Sequence, residues 1–389
     1  MRILIFMTQF YQLGGAERLA VELGEELNKR GIHADILSMY TEDLPGVAGA
    51  TEALLRKGIP AVYFLGLRIK SAIVNMAPAI LKLRRLIQGQ AYDVVETSLV
   101  SPAMIASWAT LGTRVRHVAG LHQVFRRDRE NSQQHKFWRI SVRCNRRIRY
   151  YAISDYAADH WIRYSRTSLR HTRRIYNAIS DDCFSAIPDR RGVRGELGLP
   201  ADARLAIFVG RLAAYKGIDT LLDALGPVLK QENLILLYVG QPDLDVNGTR
   251  EMLQRMEQRI ADENWGNRVK FLSYRNDIPR LMVSSDVLVH PTRMEGFGLA
   301  LVEAMATGLP VVASNVEGVP EVLAGTDHLM VPPDDPEALR DGILKTLYRT
   351  SDEAAIAIEK GRHRAQDFRI DKRTDAMIKL FEDVLSGCF

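Results

Sequence analysis

The run His290-Pro291-Thr292-Arg293-Met294-Glu295-Gly296-Phe297-Gly298-Leu299-Ala300-Leu301-Val302-Glu303-Ala304-Met305-Ala306-Thr307-Gly308-Leu309-Pro310 constrains this chain more than any other stretch. Just before it, Val287-Leu288-Val289 is apolar throughout and rich in β-branching, as a strand buried on both faces requires. Leu299 to Ala306 favours helix, Gly308 stands where a helix C-cap falls, and Pro310 cannot prolong the helix. The order is strand, glycine loop, helix, strand. It sets the amides near Gly296, Phe297 and Gly298 at a helix N-terminus, where unpaired N–H groups and the helix dipole favour an anion such as phosphate. Glu295 and Glu303 bracket the turn, one on the loop and one within the helix, so two acceptors can grip hydroxyls on opposite sides of a bound phosphate.

This run resembles the signature of the retaining glycosyltransferases of family four, with its paired glutamates and intervening Gly-Phe-Gly. The resemblance implies the GT-B fold, an α/β architecture of two Rossmann-like domains facing a cleft, with the C-terminal helix returning to the first domain. It also implies that Glu295 contacts the donor sugar and Glu303 the nucleotide ribose, with Gly296, Phe297, Gly298 and Leu299 beside the donor.

The first strand, Arg2–Phe6, leads to Gly14-Gly15-Ala16-Glu17-Arg18 and a helix to about Asn28, with Leu19, Leu23 and Leu27 at four-residue spacing. These glycines do not form the G-x-G-x-x-G of dinucleotide sites, but a Gly pair at a helix start still lets a ligand approach the backbone. By resemblance, Gly14 and Gly15 face the donor's phosphates and sugar. Val115–Ala119 reads as a strand ending in Gly120-Leu121-His122, and a histidine just past a strand's C-terminal end lies where open α/β sheets bind ligands. The resemblance implies that His122 contacts the donor sugar beside the reacting carbon. A later strand, Leu205–Val209, opens a basic glycine loop in which Arg211 and Lys216 can both turn onto one diphosphate. Resemblance makes them the diphosphate ligands and places the base against the backbone at Tyr274 and Arg275. Two departures stand out: Ala178 replaces a usual glycine after Asn177, and Gln241 follows Gly240 where a second glycine is commoner. Asp243-Leu244-Asp245 is formally a D-x-D metal motif, but such triplets arise by chance and GT-B enzymes do not need a bound metal. The expectation is no metal and no cofactor beyond the donor itself.

Length predicts two domains, because 389 residues exceed one ordinary core. The expected division is residues 1–185, residues 186–369, and a crossing helix at 370–389. Three cysteines without metal-ligand or disulfide spacing suggest a reducing compartment, hence the cytoplasm. Thr97–Thr113 is uncharged but interrupted, so it reads as a buried helix rather than a membrane span. The net charge of +5 is uneven: between Arg68 and Arg174 the acidic residues are only Asp93, Glu96, Asp128, Glu130, Asp155 and Asp159. Within that half, Ile69–Ile87 repeats apolar residues at helical spacing, with Pro78 predicting a kink or two helices. Phe125–Arg149 is densely basic, with an apolar stripe of Phe137, Ile140, Cys144 and Ile148. Such a surface suits an anionic partner at the inner face of a membrane, with a glycan or lipid-linked acceptor; nucleic acid fits poorly, since no binding module accompanies the basic run.

The expected reaction is sugar transfer from a nucleotide diphosphate sugar, UDP-sugar ahead of GDP-sugar, with anomeric retention. No carboxylate pair with acid and nucleophile roles appears, which counts against an ordinary retaining glycosidase. The alternatives are a nucleotide-sugar epimerase or phosphorylase of the same fold, and a non-catalytic nucleotide-sugar-binding protein.

Overall fold

The computed structural model describes residues 1–11, 14–67, 76–122, 133–165, 172–244 and 246–388. Asp245 of the D-x-D triplet, the start of the amphipathic stretch at Ile69 and Ile73, the first part of the basic run from Phe125, and the side chain of Phe137 lie outside the described residues. Two compact units emerge, Met1–Ala178 with Ile370–Phe389, and Ile179–Arg369. The first unit thus ends at Ala178 rather than at 185. Ile179 belongs with the second, where its N–H donates to the Phe368 carbonyl at 3.0 Å.

The first unit is built on seven parallel strands: β1 (Arg2–Met7), β2 (His33–Tyr40), β3 (Val62–Leu67), β4 (Val94–Thr97), β5 (Arg116–Leu121), β6 (Arg149–Ala152) and β7 (Thr172–Arg174), in the order β3-β2-β1-β4-β5-β6-β7. Strand β1 shows why: Ile3, Ile5 and Met7 enter the core on one face, and Leu4 and Phe6 enter that on the other. One face is covered by the helix Gly15–Lys29, whose Leu19, Leu23 and Leu27 are all buried, and by the C-terminal helix Ile370–Ser386 through Met377, Leu380, Phe381 and Val384. The opposite face carries the helix Met76–Gly89, which begins two residues before Pro78 and so takes that proline in its first turn, where no hydrogen bond is lost. Beside it runs Val100–Thr110, apolar around its whole circumference and buried between neighbouring helices.

The basic run corrects one expectation. In the helix Gln133–Cys144, Ile140 and Cys144 are exposed, while Trp138, Ser141 and the following Asn145 are buried. Trp138 packs edge-on against Trp161, Trp108 Nε1 donates to Ser141 Oγ at 2.9 Å, and Asn145 Nδ2 donates to the Ser107 carbonyl at 2.8 Å.

The second unit holds six parallel strands: β8 (Arg204–Val209), β9 (Leu234–Val239), β10 (Val269–Leu272), β11 (Val287–His290), β12 (Val311–Ser314) and β13 (Leu329–Val331), in the order β10-β9-β8-β11-β12-β13. Its strand order matches that of the first unit, and both are the Rossmann order. In each sheet the order reverses at one point, between β1 and β4 in the first and between β8 and β11 in the second. Ligands of open α/β sheets bind at the carboxyl ends of the strands flanking such a point.

Candidate active site

In the second unit the loops after β8 and β11 meet at the reversal point. Gly217 makes the meeting close: it adopts φ +65°, and a Cβ there would lie 1.9 Å from the Pro291 carbonyl oxygen. Arg293 then latches the loops together. Its backbone N–H donates to the Tyr215 carbonyl at 2.8 Å, and its guanidinium donates to the Ala214 carbonyl, to Asp219 at 2.9 and 3.1 Å, and to Asp334 at 2.6 Å. With the loops so fixed, Lys216 Nζ donates to Glu295 Oε2 at 2.5 Å, and His290 Nε2 lies 3.1 Å from the same oxygen.

Both partners are largely buried, with the Lys216 and Glu295 side chains only 13% and 15% exposed. Burial alone pushes the Glu295 carboxyl up, but Lys216 and His290 more than reverse it and hold the group well below the usual carboxylate range. His290 moves down, because burial disfavours the imidazolium more strongly than Glu295 favours it. A neutral His290 therefore donates from Nε2, leaving Glu295 as an anion with two donors on one oxygen. Among the described residues, the other oxygen, Oε1, accepts a long contact of 3.5 Å from the Phe297 N–H, so it retains acceptor capacity.

The glycine turn follows directly. Gly298 adopts φ +90° at the N-cap of the helix Leu299–Thr307, and no side chain among the described residues caps that terminus. Phe297 is buried edge-on against Phe368, ring centroids 5.4 Å apart, and so anchors the turn. Glu295's own N–H donates to Glu317 Oε2 at 2.6 Å, and Gly318 N–H donates back to the Glu295 carbonyl at 3.0 Å. Glu303 is buried on the helix that starts at Leu299, which itself closes at Gly308 in the left-handed conformation.

Arg211 shares the loop of Lys216 but points elsewhere: its side chain is 64% exposed and donates to Asp243 at 2.5 Å and to the Tyr215 hydroxyl at 2.7 Å. Asp243 thus serves as the arginine's counter-ion. Tyr274 is exposed, and the Arg275 guanidinium is committed to Asp277 and Glu196, each at 2.7 Å. The sequence reading missed His290, Arg293, Asp243 as the partner of Arg211, and Glu317. Two of these stood in the signature run itself, where a histidine closing a strand and an arginine two residues before the loop glutamate were the available signals.

The first unit places its expected residues at the equivalent ends. Gly14 caps the helix Gly15–Lys29 with extended backbone. His122 follows β5 with Nε2 3.0 Å from the Tyr151 hydroxyl; burial, aided by the Arg373 charge, pushes its pKa down to about 3.

Comparison with known proteins bears on the family and the fold. Residues 13–182 match the model of Glycosyltransferase Family 4, and residues 189–364 match that of Glycosyl transferases group 1. An uncharacterized glycosyltransferase of Methanocaldococcus jannaschii is 31% identical over 179 residues, 44% of this chain and 44% of that protein. A D-inositol 3-phosphate glycosyltransferase of Saccharomonospora viridis is 27% identical over 232 residues, 55% of this chain and 53% of that protein. The chain spans about half the length of the curated relatives it matches. Among solved structures, Anabaena HepE in complex with UDP shares the fold at a TM-score of 0.81, with 23% identity over 98% of this chain and 100% of that one. With both family models matched in order and two parallel Rossmann-like sheets, the chain belongs to the family-four-like glycosyltransferases of GT-B fold.

Proposed function

We propose that the chain transfers a sugar from a nucleotide diphosphate sugar to an acceptor, with retention of anomeric configuration and without a metal. The observation that carries this reading is the Lys216–Glu295 pair at the reversal point of the second sheet. A cation and an acceptor side by side suit a ligand in which an anionic diphosphate adjoins a hydroxylated ring. Lys216 and the uncapped helix terminus at Leu299 meet the phosphates, Glu295 Oε1 accepts a sugar hydroxyl, and Glu303 takes the ribose. Cleavage of the bond between anomeric carbon and phosphate builds negative charge on the diphosphate, so cations and amides fixed beforehand stabilise the transition state more than the ground state. Arg211 joins them by exchanging Asp243 for phosphate, and His122 serves the sugar as the family resemblance implies. UDP is the favoured nucleotide, supported by its presence in the HepE complex, with GDP second.

The acceptor is proposed to be a glycan or lipid-linked molecule at the cytoplasmic face of a membrane. Supporting this, Leu81 and Ile140 are 54% and 51% exposed beside the exposed cations Lys82, Arg85, Lys136 and Arg143, each worth about 1 kcal/mol near an anionic leaflet. No helix among the described residues is long and apolar enough to cross a membrane.

A panel of nucleotide sugars read by thermal shift, followed by NMR of the product's anomeric proton with and without chelator, tests the donor, retention and metal claims together. Donor turnover that needs no acceptor, or an inverted product, contradicts the reading. Sedimentation with vesicles of graded anionic content tests the membrane claim; binding indifferent to anionic lipid and to salt would sink it.

A further inference from the structure

His122 is the end of a chain of polar groups crossing three adjacent strands. The hydroxyl of Tyr151 on β6, 3.0 Å from His122 Nε2, lies 2.7 Å from Glu96 Oε1 on β4, and Ser98 Oγ donates to that same oxygen at 2.9 Å. Glu96 and Tyr151 are both fully buried at 0% exposure. Carrying a carboxyl and a phenol into a core is costly unless each is hydrogen-bonded; here Tyr151 and Glu96 Oε1 are, whereas Glu96 Oε2 is buried without a partner among the described residues. Gly120 provides the space: a Cβ there would lie 2.5 Å from the Tyr151 hydroxyl and 2.8 Å from His122 Cδ2.

Counting protons gives the chain its direction. Ser98 Oγ also lies 3.3 Å from the Tyr151 hydroxyl, and with Glu96 ionised its Oε1 accepts from both hydroxyls. The Tyr151 proton is then committed to Glu96, and the phenol oxygen must accept from His122. Nε2 therefore bears the imidazole proton and Nδ1 keeps its lone pair. Nδ1 is buried and has no hydrogen-bond partner among the described residues. Arg373, on the C-terminal helix, is buried and donates to the Leu19 carbonyl at 3.2 Å, and its charge opposes a second proton on His122.

We propose that Glu96 and Tyr151 are positioning residues that hold His122 in its Nε2-protonated tautomer, so that Nδ1 is the acceptor for a hydroxyl of the donor sugar. The tautomer follows from the hydrogen-bond chain with Glu96 ionised; the sugar contact rests on the function proposed above.

The test uses heteronuclear NMR of the full chain with isotope-labelled histidine, assigned by His122→Gln, and steady-state kinetics with whichever nucleotide sugar the wild type turns over best. The wild-type spectrum is expected to show His122 protonated at Nε2 and unprotonated at Nδ1, without titration near neutral pH. Tyr151→Phe should mix the tautomers and lower kcat about tenfold or more with KM for the donor little changed, as loss of the outer partner of an oriented imidazole does. Glu96→Gln, which keeps an acceptor oxygen for Tyr151, should retain both the tautomer and most of kcat, whereas Glu96→Leu should not. A wild-type His122 protonated at Nδ1 overturns the proposal even where the variants fail to fold. Unchanged kcat in a folded Tyr151→Phe overturns the positioning role. Wild-type turnover in His122→Gln, with the tautomer as stated, would instead overturn the catalytic reading of His122 and leave the hydrogen-bond chain standing.

Discussion

The two sheets share one strand order, yet the polar groups at their carboxyl edges are chemically opposite. In the second unit a lysine and a glutamate form an ion pair between the loops after β8 and β11. In the first, a histidine, a tyrosine and a glutamate share protons along hydrogen bonds, and the imidazole is held neutral. The backbone supplies the same edge twice; the loop residues decide what it does. A charged pair is suited to an anionic leaving group, and a neutral acceptor to a hydroxyl.

The largest expected effect comes from breaking the charged side of the comparison. Lys216→Ala should lower kcat/KM with the donor by about 100-fold or more, as loss of one preorganised charge-stabilising group does. It also leaves Glu295 buried without its cation, a change that destabilises buried pairs by about 3–5 kcal/mol and somewhat less where, as here, solvent reaches both partners. Adding Glu295→Gln should restore the melting temperature but not the turnover. Recovery of turnover in the double variant would show that the pair only holds the loops together.

Next in size is Gly217→Ala. The added methyl meets the Pro291 carbonyl and requires left-handed backbone, so a loss of about 1–3 kcal/mol in denaturant unfolding is expected, with turnover falling as Lys216 and Glu295 separate. Arg211→Ala should be milder, because the side chain is mostly exposed: KM for the donor rises about tenfold, the worth of one charge-assisted contact, and stability barely moves. Acid sensitivity tests both units at once. His117 and His122 in the first unit are pushed down to about 3 by burial, and His328 in the second to about 4. The unfolded chain takes up these protons first, near pH 6.5, so their contribution to stability is whole above that pH. It is lost on acidification at up to about 1.4 kcal/mol per pH unit for each fully buried imidazole. Urea unfolding from pH 7 to pH 5 measures it; constant stability would show that these rings titrate normally.

How much of this was legible depended on range along the chain. The signature strand was read to within one residue of β11, and the following helix to within one residue of Leu299–Thr307, because apolar runs and capping glycines act locally. The helix Val47–Arg56 and the edge strand β3 escaped, the first because only Val47 and Leu54 are buried, the second because it is half exposed. On the helix Gln133–Cys144 the hydrophobic stripe misled at Ile140 and Cys144, since the buried face is Trp138 with the hydrogen-bonded Ser141 and Asn145. In the site, Glu295, Lys216 and Glu303 were legible as types at telling places. Their pairing was not: Lys216 and Glu295 are 79 residues apart, and Glu96 and Tyr151 are 55 apart. Such contacts are set by strand order, which no local pattern states.

The central claim, that the reversal point of the second sheet is built for a nucleoside diphosphate, meets its most direct test in calorimetric titration of the wild type and Lys216→Ala with UDP, GDP and uridine. One diphosphate should bind the wild type, at least tenfold more weakly the variant, with uridine weak and indifferent to the change. Equal affinity of wild type and a folded variant for that diphosphate would contradict the account.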